Sequence, residues 1–582
     1  MLAGERTRDI YERVGGYPQP PLVPLPEFGD LSSLERLGIR LTPTSRRIVR
    51  AAIALTGFGA FWRRMPEGIE TLLRRTNLRG PGLFAPVISA TLALADDSRP
   101  LSPFERAATL VLGARSLYDD LKAGRLPADE RDGQPLEMGQ YPNLFSTSLI
   151  VEGKQPRVFK STSTSQITVM SGGRIWLLEG GEATLRQLSE ALAAIAGPAT
   201  ERPGGEQELS PAILTSAGHL LQLRIWPRLQ SIPRNAESLA ALRHSFLAIC
   251  LDLDAAPATH AEAALLAHSG NPGNRWQHSS LQLVVFGNAR ACAVCNFSAY
   301  LDGNTMMRGA SEIQRRAAAC PLQETKPEKA LPPASRLEWV LRREDLERAQ
   351  ASLRPLLDRQ QATFEITGIG KDFFDAHGLP AVPAFVVALQ RAANRLTGQR
   401  PRITQFLSMS RYRAMDLTTA EVTTPEVLEF VERWDRDASL ALLRQAIDSQ
   451  TRECRKARRY LNLFEMFALF LNSGTRAQRL YRSWIAGAAA LLLRRLGFMQ
   501  RSRREILISH PEIYPEIPVV GRPGIRLPYV KYFGLHYQIL PQRIVITLMP
   551  SVTWTIPNTQ VVAELKAALD ALRSGAWVDQ AR

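Results

Sequence analysis

Residues 270–303 read GNPGNRWQHSSLQLVVFGNARACAVCNFSAYLDG. The runs SSLQLVVF and ARACAVCNFS flank Gly287-Asn288, a dipeptide suited to a tight turn, so the stretch predicts a hairpin of buried strands. Before it stand Asn274-Arg275-Trp276 and His278, a density of polar and aromatic side chains in the manner of an enzyme's centre. The hairpin then runs out through Cys295-Asn296-Phe297-Ser298, which holds no acid, no base and no charge. Either a reaction centre has lost its base here, or a core strand never held one.

A chain of 582 residues exceeds one ordinary core, and two or more domains are expected. With 45% hydrophobic and 22% charged residues, its composition is that of a soluble globular protein. The net charge of +16 is spread along the chain in short clusters such as RSRRE at 501–505. None has interleaved aromatics or a zinc-finger spacing, so a solvated basic surface is read and nucleic acid is not a predicted partner. Five cysteines in so long a chain suit a reducing compartment. Cys292 and Cys295 form a CxxC, but on a strand that spacing points the thiols to opposite faces, and no second pair completes a zinc site. No metal is predicted. The N-terminus lacks the apolar run of a signal peptide, and the longest apolar stretch, Trp484–Leu493, is too short to span a bilayer. A cytoplasmic protein without a membrane span is the expectation.

Ser102 before Pro103 predicts a capped helix start, and SQITVMSGGRIWLLEGG predicts a second hairpin about Gly172-Gly173. The composition changes sharply at QETKPEKALPPASRLEW, 323–339, read as an interdomain linker. Helical periodicity fills 425–496, a hairpin follows at 533–550, and Val561, Val562, Leu565, Leu569 and Leu572 share one face of a closing helix. Mixed helices and hairpins imply an α/β or α+β class.

With Asn274-Arg275-Trp276 intact and Gln282 at matching spacing, the opening stretch resembles the choline/carnitine acyltransferases. GQPLEMGQYPNLFSTSLI and GKDFFDAHGLPAVPAFVVALQRAANRLTGQ resemble two further segments of that family, and the likeness runs from about residue 20 to 575. It implies an α/β fold of two domains, mixed sheets flanked by helices, with a tunnel at their interface. The expected domains are 77–335, and 1–76 joined with 336–582. It also implies chemistry in which a His general base deprotonates an acceptor hydroxyl or the CoA thiol, and the acyl group passes directly between them.

This chain departs from that pattern residue by residue. Counted without gaps from Gln282, the family His falls on Phe297 and its neighbouring Glu on Asn296; a shifted register places Ser298 there instead. Neither Phe nor an unassisted Ser takes a proton. Of two lysines that contact CoA phosphates, Lys371 matches the first and the second aligns with Asp375, reversing the sign of attraction. The carboxylate-pocket tyrosine falls on Thr404, the Gly-Arg-Thr triplet on Met415-Asp416-Leu417, and the oxyanion serines have an echo only in Ser509. His278 is the nearest imidazole and the candidate for a relocated base; Ser509-His510 are neighbours that a strand would turn to opposite faces, and His536 shows no local acid or nucleophile pattern. Arg275 reads as structural, paired with a carboxylate.

Three functions compete. A repurposed enzyme, preferred, keeps the tunnel for an apolar or acyl substrate, CoA-linked or delivered on an acidic acyl carrier protein that the basic surface would suit, with Phe297, Phe406 and Leu417 lining its centre. A residual acyltransferase would use His278 or another base. A non-catalytic scaffold would keep only the fold. No resident cofactor is implied.

Overall fold

The computed structural model describes residues 27–28, 39–59, 89–152, 155–200, 210–296, 301–322, 330–357, 362–412, 417–461, 467, 470–471, 475–498, 505–510, 519–520, 533–550 and 554–575. Among these residues, fourteen strands build two large sheets. They are β1 (Ser89–Ala93), β2 (Gln166–Ser171), β3 (Arg174–Glu179), β4 (Ala248–Asp252), β5 (Leu281–Phe286), β6 (Ala291–Asn296) and β7 (Ser335–Arg336), then β8 (Ala362–Thr367), β9 (Arg402–Ser408), β10 (Leu417–Glu421), β11 (Glu505–Ser509), β12 (Val519–Val520), β13 (Phe533–Ile539) and β14 (Arg543–Pro550). The N-terminal sheet runs β7-β3-β2-β4-β5-β6-β1-β12 and the C-terminal sheet β8-β14-β13-β11-β9-β10. Parallel and antiparallel pairs occur in both, so each is mixed. Among the described residues no helix is long and apolar enough to cross a membrane.

The predicted hairpin is β5-β6, in register Leu281↔Cys295 through Val285↔Ala291. Every residue of both strands is buried. Apolar side chains cover both faces: Leu281, Leu283 and Val285 enter one core, Val284 and Phe286 the other. Strand alternation divides the CxxC in the same way, Cys295 on the first side and Cys292 on the second. Two helices, α1 (Pro103–Lys122) and α2 (Gly303–Ala318), pack together on the first side. Their approach needs Gly113, where a Cβ would lie 2.4 Å from the Ile313 carbonyl oxygen. Ser102 caps α1 with a full capping box, as the sequence predicts.

The linker expected at 323–339 is corrected at its second half. Ser335 and Arg336 pair with Leu177 and Trp176 as the edge of the N-terminal sheet, and Leu337 and Trp339 pack onto its second core. Helix α3 (Arg343–Leu357) adds Leu346, Ala349 and Leu353 to that core, so the N-terminal body continues past residue 335. The reason is hydrophobic: a segment carrying Leu337, Trp339 and Leu341 partly buries them where the sheet edge is open.

Helices α4 (Ala381–Thr397), α5 (Leu440–Arg459) and α6 (Asn558–Arg573) cover one face of the C-terminal sheet, over Ile403, Leu407, Ile506, Ile508, Leu535 and Tyr537. The alternate residues point the other way, toward the N-terminal half. There the Asn304 side-chain amide donates to Ser408 Oγ (2.9 Å), the Glu137 amide donates to the Ser410 carbonyl (2.7 Å), and β12 adds to β1. That face is polar although buried, with Thr404, Gln538 and Thr547 all below 6% exposed.

The Asn-Arg-Trp motif braces the N-terminal sheet. Arg275 donates to both carboxylate oxygens of Asp252 at the end of β4 (2.6 and 3.2 Å), and Asn274 donates to the same carboxylate (2.7 Å). Gln282 accepts from the Trp276 amide (2.8 Å). Asp252→Ala would strand a buried guanidinium, and we expect it to lower unfolding free energy by about 3–5 kcal/mol. Urea unfolding measures this, with Asp437→Ala at the exposed Arg433 pair as a comparison that leaves the midpoint unchanged.

Candidate active site

Strand β6 ends at Asn296, and the described chain resumes at Leu301 and enters α2 through its N-cap, Asp302. Phe297 and Ser298 lie outside the described residues. Asn296 is buried, its side chain donating to the Gln277 carbonyl and its amide to the Ser280 carbonyl (2.9 Å). Asp302 accepts from the Thr305 amide (2.8 Å), and burial pushes its carboxyl above the usual range. Two residues on, Asn304 touches Ser408 of β9. Of the described residues on either side of 297–300, Asn296 is thus held within the N-terminal half, while Asn304 reaches the C-terminal half.

A cavity of about 780 Å³ opens at that junction. Its apolar wall includes Leu136 from the N-terminal half and Val382, Pro383 and Leu407 from the other. Among the described residues, Arg131, Arg411, Arg455, Arg458 and Arg459 line it against one carboxylate, Asp132. Three of the arginines come from the last turns of α5, where cations also complement the helix carbonyls. Arg411 donates to Tyr412 Oη (2.8 Å) and to the Arg458 carbonyl (3.4 Å), which draws its guanidinium to the wall. His510 lines the inner side, its ring centroid 5.4 Å from that of Tyr537. A space this size with apolar walls and a basic rim can hold an anionic ligand with an apolar tail.

The predicted site residues divide among places. Thr404 and half-buried Phe406 lie on the polar face of the C-terminal sheet, Thr404 donating to Glu505 (2.5 Å), which also pairs with Arg402 (3.1 Å). Leu417 is opposite Ser408 in the β9-β10 register. Lys371 is exposed at the start of a short helix, Lys371–Ala376, and is not part of the cavity lining. His278 sits elsewhere: a separate cavity of about 210 Å³ beside it is lined wholly by the N-terminal half. Its Nε2 is 3.1 Å from Gln222 Oε1, and its ring packs 4.7 Å from that of Trp226.

Sequence reasoning missed His536. Ser509 ends β11 opposite His536 of β13, so both side chains leave the same face, and Ser509 Oγ lies 3.0 Å from His536 Nδ1. The row continues through His536↔Thr547 and Thr547↔Thr363, whose hydroxyls are 3.1 Å apart. The available signal is the alternation of β13, where Phe533, Leu535 and Tyr537 are core and His536 is the polar residue between them. His510, the sequence neighbour of Ser509, meets the cavity instead, as the alternation requires.

Burial sets the charge state of these groups. It lowers the pKa of His268, His278 and His536 to about 3, and raises the thiols of Cys250 and Cys295 to about 12, so these histidines are neutral and these cysteines hold no thiolate at neutral pH. Histidines with a folded pKa below 6.5 leave the unfolded chain binding more protons between pH 6.5 and about 3. Stability is then present above that window and falls as pH drops through it, by up to about 1.4 kcal/mol per pH unit for each such His. His278→Gln is expected to make the acid slope shallower by about one such increment, read from urea unfolding at stepped pH.

The sequence profile of the choline/carnitine O-acyltransferases matches residues 83–549. Pig (Sus scrofa) choline O-acetyltransferase is 26% identical over 376 residues, covering 59% of this chain and 58% of that one. Mouse (Mus musculus) peroxisomal carnitine O-octanoyltransferase is 25% identical over 336 residues, 54% of each. The highly reducing polyketide synthase AFT9-1 of Alternaria alternata is 28% identical over 203 residues, 34% of this chain and 6% of that one. The match thus spans little more than half the length of the two acyltransferases. With residues 83–549, most of its length, under the family profile, the chain belongs to the choline/carnitine O-acyltransferase family.

Proposed function

We propose that this family member handles an acyl thioester in the interdomain cavity, and does so without the family's His-dependent transfer to carnitine. The observation that carries the reading is the charge of the cavity: among the described residues, five arginines face one carboxylate, beside an apolar wall. Arginine forks suit phosphate oxygens. A phosphate-bearing pantetheine arm would meet them while its acyl chain lies along Leu136, Val382 and Leu407. The rim thereby takes over phosphate binding from the family lysine whose place Asp375 occupies. At the family base position stands Phe297, which has no proton to exchange, and the carnitine-carboxylate position is Thr404, committed to Glu505.

The arm has two sources, CoA or an acidic carrier protein, and the net charge of +16 suits either. The partial likeness to a polyketide synthase favours neither by itself. Octanoyl-CoA and an octanoyl-loaded acyl carrier protein, titrated separately by calorimetry, distinguish them. Arg455→Glu with Arg459→Glu is expected to weaken binding of the true donor at least about tenfold, with a shallower salt dependence. Octanoyl-N-acetylcysteamine, which lacks the phosphates, should bind weakly and ignore those substitutions. Carnitine should not stimulate thiol release. Absence of binding by every thioester would leave the scaffold reading in possession.

A further inference from the structure

We infer that the helix Arg476–Arg495 is a docking face for an anionic lipid surface, on which it lies flat with an apolar stripe against the acyl chains and its arginines among the phosphates. The thioester reading above is not needed for this.

The helix is firmly delimited. Thr475 caps it with a full capping box to Gln478, and Gly497 follows it at φ 70°. Only one narrow side is committed to packing. Ile485 and Leu493 are buried, Leu493 against Ile39 and against Val49 of the helix Pro43–Leu55. On the same side Arg482 donates to the Phe470 carbonyl (3.1 Å), with its guanidinium over the Phe470 ring.

The outward side is apolar to a degree found nowhere else among the described residues. Nine large apolar side chains are exposed there in all, and six of them are Leu480, Tyr481, Trp484, Leu491, Leu492 and Leu496, on this helix and its C-cap. Leu480, Trp484, Ala488 and Leu491 recur at i, i+4, i+8 and i+11, which is one side of a helix, and Tyr481 and Leu492 run along its margin. Trp484, in the middle of the stripe, is 72% exposed. A continuous stripe of this kind left to water marks an interaction surface.

Charge selects the occupant. The helix holds five arginines and no acid, and the helix Pro43–Leu55 packed beside it holds Arg46, Arg47 and Arg50 and no acid. Arg476, Arg479, Arg494 and Arg495 are exposed and make no ion pair among the described residues. They stand at both ends of the stripe, so a second copy of the helix, parallel or antiparallel, would set guanidinium against guanidinium. Between them the stretch Ser483–Leu493 carries no charge at all. An anionic bilayer matches both features: phosphates at the level of the arginines and of the Tyr481 and Trp484 rings, and acyl chains beneath the uncharged stretch. The helix would lie on that surface and not through it, since among the described residues no helix is long and apolar enough to cross a membrane.

The test is sedimentation of the whole chain with vesicles of phosphatidylcholine, alone or mixed with one-third phosphatidylglycerol. The mixed vesicles should carry the protein down and the neutral ones should not, with binding falling as salt is raised. Trp484→Ser with Leu491→Ser, both at exposed positions, should weaken partition into the mixed vesicles at least about tenfold. Arg476→Gln with Arg479→Gln should weaken it as well and flatten the salt dependence. Lipids brominated on their acyl chains should quench part of the tryptophan emission of the wild type and less of it in Trp484→Ser. The inference is overturned if the mixed vesicles leave the wild type in solution. It is equally overturned if they bind the Trp484→Ser, Leu491→Ser chain as well as the wild type, which would leave only a diffuse basic surface. A wild-type dimer dissociated by those two substitutions would overturn it in favour of a second copy of this chain. Loss of octanoyl-loaded acyl carrier protein binding in the same variant, with vesicles unbound, would overturn it in favour of an acidic protein.

Discussion

The buried pair between Arg275 and Asp252 is the constraint around which the N-terminal half is arranged. Asp252 closes β4, and Arg275 arrives from the turn that leads into β5, so one bidentate contact sets two parallel neighbours against each other. The guanidinium is satisfied further by the Ala267 and Asn274 carbonyls (2.7 and 2.9 Å). A charge removed this completely from water persists only when its donors are used, and Asn274 joins the same network through the Asp252 carboxylate. Its role is architectural: it holds β4 and β5 in parallel register, with β6 paired to β5.

At that junction two surfaces of different character meet. The helix-covered face of the C-terminal sheet is apolar, whereas its other face carries Thr404, Ser408, Ser509, His536 and Thr547. Burying polar groups without purpose is costly, and much of this layer is satisfied internally, by Thr363 with Thr547 and by Thr404 with Glu505. Against that background His536 Nε2 stands out, buried and without a partner among the described residues. The arginine-lined cavity takes His510, the residue after Ser509, which alternation turns away from the Ser509–His536 face.

Much of the fold is legible in the chain. The apolar runs on either side of Gly287-Asn288 prescribe the hairpin, and Ser102-Pro103 prescribes the start of α1, because these signals are local. The retained motif points equally well to family and architecture. The linker is harder to read. Proline and glycine density marks chain breaks, but the destination of Leu337 and Trp339 depends on an open sheet edge formed by residues far away in sequence.

The candidate site divides along the same line. That Phe297 offers no base and Asp375 no cation follows from residue identity, since neither side chain can take up the chemistry of a His or a Lys in any conformation. The partnership of Ser509 with His536, the gathering of Arg131 with the arginines of α5, and the seclusion of His278 depend on tertiary structure. Each joins segments distant along the chain, and such contacts follow from strand order and domain packing, which no short-range pattern encodes.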